Sequence, residues 1–150
     1  MERILALDVG NKRIGVAVSD ALGVTAQGVK VVQRRSLQAD LEAVCQLVQE
    51  YQAAQVVIGL PLNMNGSLGP QAELAQQFGQ ALTAVCPAEI VWQDERLTTA
   101  AAERTLLGGD VRRQKRKQVV DMLAAQMILE TYLGRRKAAA RFNRPESGEN

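Results

Sequence analysis

Residues 4–20 read ILALDVGNKRIGVAVSD, and a β-hairpin is legible in them. Apolar residues recur from Arg3 to Val9 and again from Arg13 to Ser19, with the turn-forming Gly10-Asn11-Lys12 between the two runs. A period of two places Ile4, Ala6 and Asp8 on one face of the first strand. An acid at the end of an apolar strand needs a reason. Asp8 is either a turn residue capping the hairpin or a carboxylate held rigidly at the edge of a sheet, and this stretch alone leaves both open.

The pattern continues outward from the hairpin. Val24 to Val32 reads as a third strand, with Gly23 marking a turn and Gly28 a bulge. Ser36 is placed to N-cap a helix running to about Gln52, with Leu37, Leu41, Val44, Leu47 and Val48 on one face. The continuous run from Gln55 to Leu60 predicts a strand buried on both faces, ended by Pro61. A loop through Asn63-Met64-Asn65-Gly66-Ser67 leads to a helix from Pro70 to Val85, and Glu89 to Glu95 predicts a fifth strand. Thr98 or Thr99 would cap a short helix to Leu107, closed by Gly108-Gly109. The basic stretch Arg112 to Lys117 then leads into a last helix ending near Leu133.

The order β-β-β-α-β-α-β-α-α predicts an α/β fold. Three antiparallel strands would be followed by parallel ones reached through helical crossovers, in one mixed five-stranded sheet with flanking helices. One domain over residues 1–136 and a charged, disordered tail over 137–150 account for the length. The sequence shows no internal repeat.

Composition narrows the chemistry. Aromatic residues are 3% of the chain against 47% hydrophobic, so the core is aliphatic. No apolar run approaches the roughly 20 residues that span a bilayer, and Glu2, Arg3 and Asp8 argue against a signal peptide, so a cytoplasmic protein without a membrane partner is expected. Cys45 and Cys86 lack the short spacing of a zinc site and are expected as buried, reduced thiols. The absence of histidine removes the commonest general base, the Ser-His and Cys-His nucleophile pairs, and most zinc chemistry. An enzyme built from this sequence must work with carboxylates, lysine, or a metal held by oxygen.

Two further acids stand out. Glu95 ends the fifth strand just before a helix, where open α/β sheets place their ligands, although an acid there also suits a helix dipole. Asp121 lies in QVVDMLAAQMIL, which is apolar nearly all round and so predicts a buried helix. A carboxylate there requires a cation or a salt bridge, the preceding basic residues being candidates. Mg²⁺ and Mn²⁺ take oxygen ligands, and two such ions roughly 3.5–4 Å apart can activate a water and stabilise the leaving oxygen of a phosphodiester without any histidine. Asp8, Glu95 and Asp121 are therefore the candidate catalytic and metal-binding residues.

ILALDVGNKRIGVAVSD, VVIGLPLNMNGS, DERLTT and KQVVDMLAAQMIL, in this order over residues 3–134, resemble the motifs of the YqgF family, also called RuvX. The resemblance implies an RNase H-like fold related to the RuvC Holliday-junction resolvases. It also implies a nuclease acting at the 5′ end of pre-16S ribosomal RNA in ribosome biogenesis, with its acidic triad falling on Asp8, Glu95 and Asp121. Resolvases of the RuvC type carry a further acid one turn along the last helix; here Ala124 or Ala125 occupies that place.

Charge is unevenly spread. Residues 1–95 hold 6 Lys/Arg against 10 Asp/Glu, whereas residues 96–144 hold 12 against 4. A basic surface of this kind binds polyanions. Arg112, Arg113, Lys115, Arg116 and Lys117 are candidate phosphate contacts, as are Arg96 beside Glu95 and Lys12 and Arg13 after Asp8; a solvated basic turn would look the same. Asn63 and Asn65 are candidate nucleic-acid contacts in a loop that could equally be a plain connection. The partners expected are pre-rRNA within ribosomal precursor particles or, in the alternative, branched DNA, whose resolution by paired cuts calls for a homodimer. An RNA-binding assembly factor without catalysis would use the same basic surface, but unmetallated acids within it would repel phosphate. The hairpin also resembles the first phosphate loop of actin-like ATPases, which need two related domains.

Overall fold

β1 (Arg3–Val9) is buried at every position from Ile4 to Val9, which a strand achieves only when both of its faces are covered. It occupies the centre of the sheet. The computed structural model describes residues 3–95 and 113–142, the side chains of 113–118, 141 and 142 excepted. Within these residues β2 (Arg13–Ser19), β3 (Ala26–Gln33), β4 (Ala53–Leu60) and β5 (Glu89–Asp94) complete a five-stranded sheet in the order β3-β2-β1-β4-β5. The β1–β2 and β2–β3 pairs are antiparallel, and the β1–β4 and β4–β5 pairs are parallel. This is the mixed sheet expected from the order of elements.

The turns form as their residues dictate. Gly10 N–H donates to the Arg13 carbonyl at 2.9 Å and closes the β1–β2 turn. Gly23 adopts φ 71°, and the neighbouring Asp20 carboxylate accepts from the amides of Val24 and Thr25 at 2.7 and 3.0 Å. These backbone hydrogen bonds hold the Asp20 carboxyl below the ordinary aspartate range. The register of β2 on β3 shifts where Val16 and Ala17 face Lys30 and Gly28, so the expected bulge at Gly28 is present.

Helices cover the sheet unequally. α1 (Leu37–Tyr51) begins at Ser36, whose hydroxyl accepts from the Ala39 amide at 3.2 Å, and α2 (Pro70–Val85) begins with proline in its first turn. Leu5, Leu7, Val9, Ile14, Val16 and Ile58 pack beneath these two helices, with Phe78 at the centre of that core. The other face carries α3 (Arg113–Phe142) alone among the described residues, and alanines stand among the larger aliphatic residues of that contact. Ile4, Ala6, Ala17 and Val57 meet Ala124, Ala125, Ile128, Leu129 and Leu133 there.

α3 departs from the expectation in three ways. It is buried along one stripe, not all round: Val119 is 50% exposed, whereas Ala124, Ala125, Ile128 and Leu129 are at most 1% exposed. Lying on a sheet face, the helix needs only that stripe to be apolar. The basic stretch from Arg113 to Lys117 forms the opening turns of the helix and does not precede it. The helix also passes Leu133 and reaches Phe142, so residues 137–142 are helical and not part of a disordered tail. Alanine at 138–140 and long basic side chains favour helix without needing a buried face. The helix expected from Thr98 or Thr99 to Leu107 lies outside the described residues. No helix among them is long and apolar enough to cross a membrane.

Close approach of α3 depends on glycine. A Cβ at Gly15 would collide with the backbone carbonyl of Asp121, one at Gly28 would lie 3.2 Å from Met122 Cβ, and one at Gly59 would lie 2.5 Å from Ile128 Cδ1. Gly15→Ala should therefore lower the unfolding free energy by about 1–3 kcal/mol, because a main-chain atom cannot rotate out of the way. Gly134, on the exposed outer part of α3 with nothing within 4 Å of its added Cβ, should give the opposite sign, with alanine stabilising by about 0.5–1 kcal/mol. Urea unfolding of the two variants measures both.

Candidate active site

Strand register brings one row of residues across the α3 face. Asp8 pairs with Gly15 on β2. Leu7 pairs with Ile58, so Gly59 follows beside Asp8 on β4, and Gly59 pairs with Gln93 on β5. The row thus runs Gly15, Asp8, Gly59, Gln93. Alternation with Ala6, Ala17 and Val57, which pack against α3, assigns the row to that face.

The three acids come to this face of the sheet from different elements. Asp8 is 6% exposed near the end of β1. Glu95 follows directly after β5 and is 2% exposed; its Oε2 lies 3.1 Å from the place a Cβ on Gly59 would take, so the carboxylate rests over the β4 backbone. Asp121 is set over Gly15 by α3, its main-chain carbonyl filling the volume a side chain there would need. Glycine on either side of Asp8 leaves room for a carboxylate from the helix and one from the strand end.

Asp121 forms a salt bridge, and among the described side chains its partner is Arg13, while the side chains of the basic residues that precede it on the helix lie outside the described set. Its Oδ2 accepts from Arg13 Nε at 2.7 Å, both side chains being mostly buried. Sequence separation of 108 residues hid this partner. Among the described residues no group of three or more His, Cys, Asp or Glu side chains converges closely enough to hold a metal ion. The acids share a face and an end of the sheet, with Asp121 drawn toward Arg13.

The turn that carries Asp8 is clamped from behind by a residue that pattern reading missed. Arg34 donates from Nε to Asp40 Oδ2 at 3.0 Å and from Nη1 to the Gly10 carbonyl at 3.0 Å, and its amide donates to the Lys12 carbonyl at 2.8 Å. Asp40 also accepts from the Arg35 amide at 3.0 Å, and the Arg34 guanidinium stacks 5.3 Å from the Phe78 ring centre. The available signal was a charged residue directly after β3 and an acid in the first turn of α1. Gln93, 2% exposed, was also missed; its Oε1 accepts from Arg135 at 3.5 Å.

The remaining candidates are distributed as follows. Lys12 is exposed at the turn. Asn63 and Asn65 are exposed, but they spend hydrogen bonds on their own loop: Asn63 Nδ2 donates to Ser67 Oγ at 2.9 Å, and Asn65 Oδ1 accepts from Ser67 N and Oγ at 3.0 and 2.6 Å. Arg113, Lys115, Arg116 and Lys117 fall in the first turns of α3, upstream of Asp121, with side chains outside the described set. Arg96 and Arg112 lie outside the described residues. Away from the site, Cys86 is buried and Cys45 is partly exposed; burial and the adjoining Cys86 thiol push the Cys45 thiol up. Both cysteines are free, as expected, but only Cys86 is buried; Cys45 on α1 sits at the edge of the core.

With this geometry in view, residues 2–135 match the family model RuvX, described as Holliday junction resolvase. The chain belongs to the RuvX family. Its relatives include a protein of Halalkalibacterium halodurans, 53% identical over 137 residues that cover 90% of this chain and 98% of that one. Another, from Listeria monocytogenes, is 52% identical and covers 87% and 96%. Both carry the name "Putative pre-16S rRNA nuclease". Among solved structures, Thermus thermophilus RuvC is similar with a TM-score of 0.55 at 10% identity, over 91% of this chain and 96% of that one. The same enzyme in complex with a Holliday junction substrate gives 0.52 at 17%, over 95% and 97%. These likenesses show the fold, which is RNase H-like as the motifs implied.

The Arg34 clamp yields a stability test. Asp40→Ala strands a buried guanidinium and should cost about 3–5 kcal/mol, whereas the double change Arg34→Met with Asp40→Leu should recover part of that loss. Equal losses in urea unfolding would contradict the assignment of an ion pair whose members depend on each other.

Proposed function

We propose that this chain is a metal-dependent endonuclease that hydrolyses a phosphodiester of structured nucleic acid, with pre-16S ribosomal RNA as substrate and its 5′ end as the place of action. The observation that carries the proposal is the placement of Asp8, Glu95 and Asp121 on the α3 face of the sheet, beside Gly15 and Gly59, in a chain that belongs to the RuvX family. Membership of the family and the names of its relatives support nuclease activity on nucleic acid.

The donor set fits Mg²⁺ or Mn²⁺ in kind, because it is all carboxylate oxygen and the chain has no histidine to favour zinc. Asp8, Glu95 and Asp121 would hold the metal, two ions once substrate is bound, and such ions supply an activated water and a stabilised leaving oxygen. The protein's own part is rigid placement. Burial of Asp8 and Glu95, 6% and 2% exposed, keeps bulk water from both carboxylates. Lys12 and the basic opening turns of α3 would draw the phosphate backbone to the same end of the sheet and orient it without reading its sequence. The cytoplasm is the compartment that such a substrate requires.

Resolution of four-way DNA junctions is the second reading, favoured by the description of the family. Against it stands the helix position of the fourth resolvase acid, where Ala124 and Ala125 are 1% and 0% exposed against the sheet. The test is cleavage of end-labelled precursor RNA and of a four-way junction with Mn²⁺ or Mg²⁺. The native protein should cut the RNA, and Asp8→Asn or Glu95→Gln should lose about a hundredfold or more. Cutting that survives both substitutions would overturn the site. Preference for the junction, by a dimer, would select the second reading.

A further inference from the structure

Arg13 and Asp121 come together from opposite ends of the chain, and the contact is too well made to be a stray surface pair. Arg13 begins β2; its carbonyl is held by Gly10, and the preceding Lys12 carbonyl is held by Arg34. Its backbone is therefore fixed from two sides before the side chain reaches over the α3 face. Asp121 is fixed by the seating of α3 on Gly15. Between them the Nε to Oδ2 distance is 2.7 Å, with 21% and 15% of the side chains exposed. Charge assistance and partial desolvation make such a bond strong.

We infer that Arg13 is a gate on the metal site: its guanidinium stands in for a cation at Asp121, and a substrate phosphate draws it away. The inference rests on the nuclease reading above. A carboxylate clamped by a guanidinium repels an incoming Mg²⁺ or Mn²⁺ through the fixed positive charge, and it points toward the wrong partner. Among the described residues the three acids form no group that could hold a metal ion, and Asp121 is bonded to Arg13 instead. A phosphate offers the guanidinium a better acceptor, with two oxygens in fork geometry. Exchange of Asp121 for phosphate satisfies Arg13, releases Asp121 toward Asp8 and Glu95, and brings substrate and metal to the site together. Arg13 is then a positioning residue whose two partners alternate, and metal binding and phosphate binding favour each other by the same factor. An enzyme arranged this way holds its metal weakly until nucleic acid is present.

The test measures Mn²⁺ binding by the full chain without nucleic acid, from the electron paramagnetic resonance signal of free Mn²⁺. Arg13→Gln should bind Mn²⁺ about three- to tenfold more tightly than the native protein, the range expected when a partly exposed ion pair is removed. Arg13→Lys, which keeps the charge, should stay within about twofold of native, a distinction that a purely structural role for Arg13 would not produce. On the native protein, the Arg13 Nε–H resonance should be protected from exchange and lose that protection as Mg²⁺ is added; this measurement stands even if a variant fails to fold. Unchanged or weaker Mn²⁺ affinity in a folded Arg13→Gln, or unaltered Nε–H protection at saturating Mg²⁺, would overturn the gate. If native binding is nonetheless present and lost in Asp8→Asn, the metal site survives and only the role of Arg13 falls. Absence of Mn²⁺ binding in every variant would remove both.

Discussion

The seating of α3 on Gly15 is the contact on which the rest depends. A helix lies against a sheet at a distance set by the side chains between them, and here one of those side chains is a hydrogen atom. Asp121 is carried by the turn of helix that this glycine admits, directly across from Asp8 on the neighbouring strand. Gly59 does the same on the other side of Asp8, where Ile128 and the Glu95 carboxylate occupy the space. Small residues at 6, 17, 124 and 125 extend the close approach along the helix. The site is thus a consequence of packing: the residues that let the helix come near also decide where the acids sit.

The two faces of the sheet divide the labour. Beneath α1 and α2 lie the large aliphatic residues and Phe78, which supply most of the apolar burial. That face also contains the Arg34–Asp40 pair, whose hydrogen bond to Gly10 fixes the turn two residues after Asp8. The α3 face is thinner and holds Asp8, Glu95 and the Arg13–Asp121 pair. The larger apolar core lies on one side of β1 and the candidate acids on the other, and β1 is buried from Ile4 to Val9 between them.

Much of this was legible from the residues. Period-two alternation located β1 and β2 within their observed bounds, and Pro70 and Ser36 marked helix starts correctly because their effects are local. The placement of Asp8 and Glu95 at strand ends was legible for the same reason. What failed depended on distance in sequence. The described partner of Asp121 is 108 residues away, and Arg34 and Asp40 look like ordinary surface charges until β3 and α1 fold over the hairpin turn. Helix periodicity misjudged α3, since an apolar-rich helix does not reveal how much of it a sheet will cover. Its extension to Phe142 rests on propensity alone, which an argument from apolar period cannot detect.

The central claim is that Asp8, Glu95 and Asp121 form one metal-binding site in a nuclease. The most direct measurement is a crystal structure of the full chain with Mn²⁺ and an uncleavable nucleic acid, the metal located from its anomalous scattering. The account predicts density bounded by carboxylate oxygens of Asp8, Glu95 and Asp121, with Arg13 turned from Asp121 to phosphate. Manganese bound elsewhere, or nucleic acid seated with these acids remote from its backbone, would contradict it.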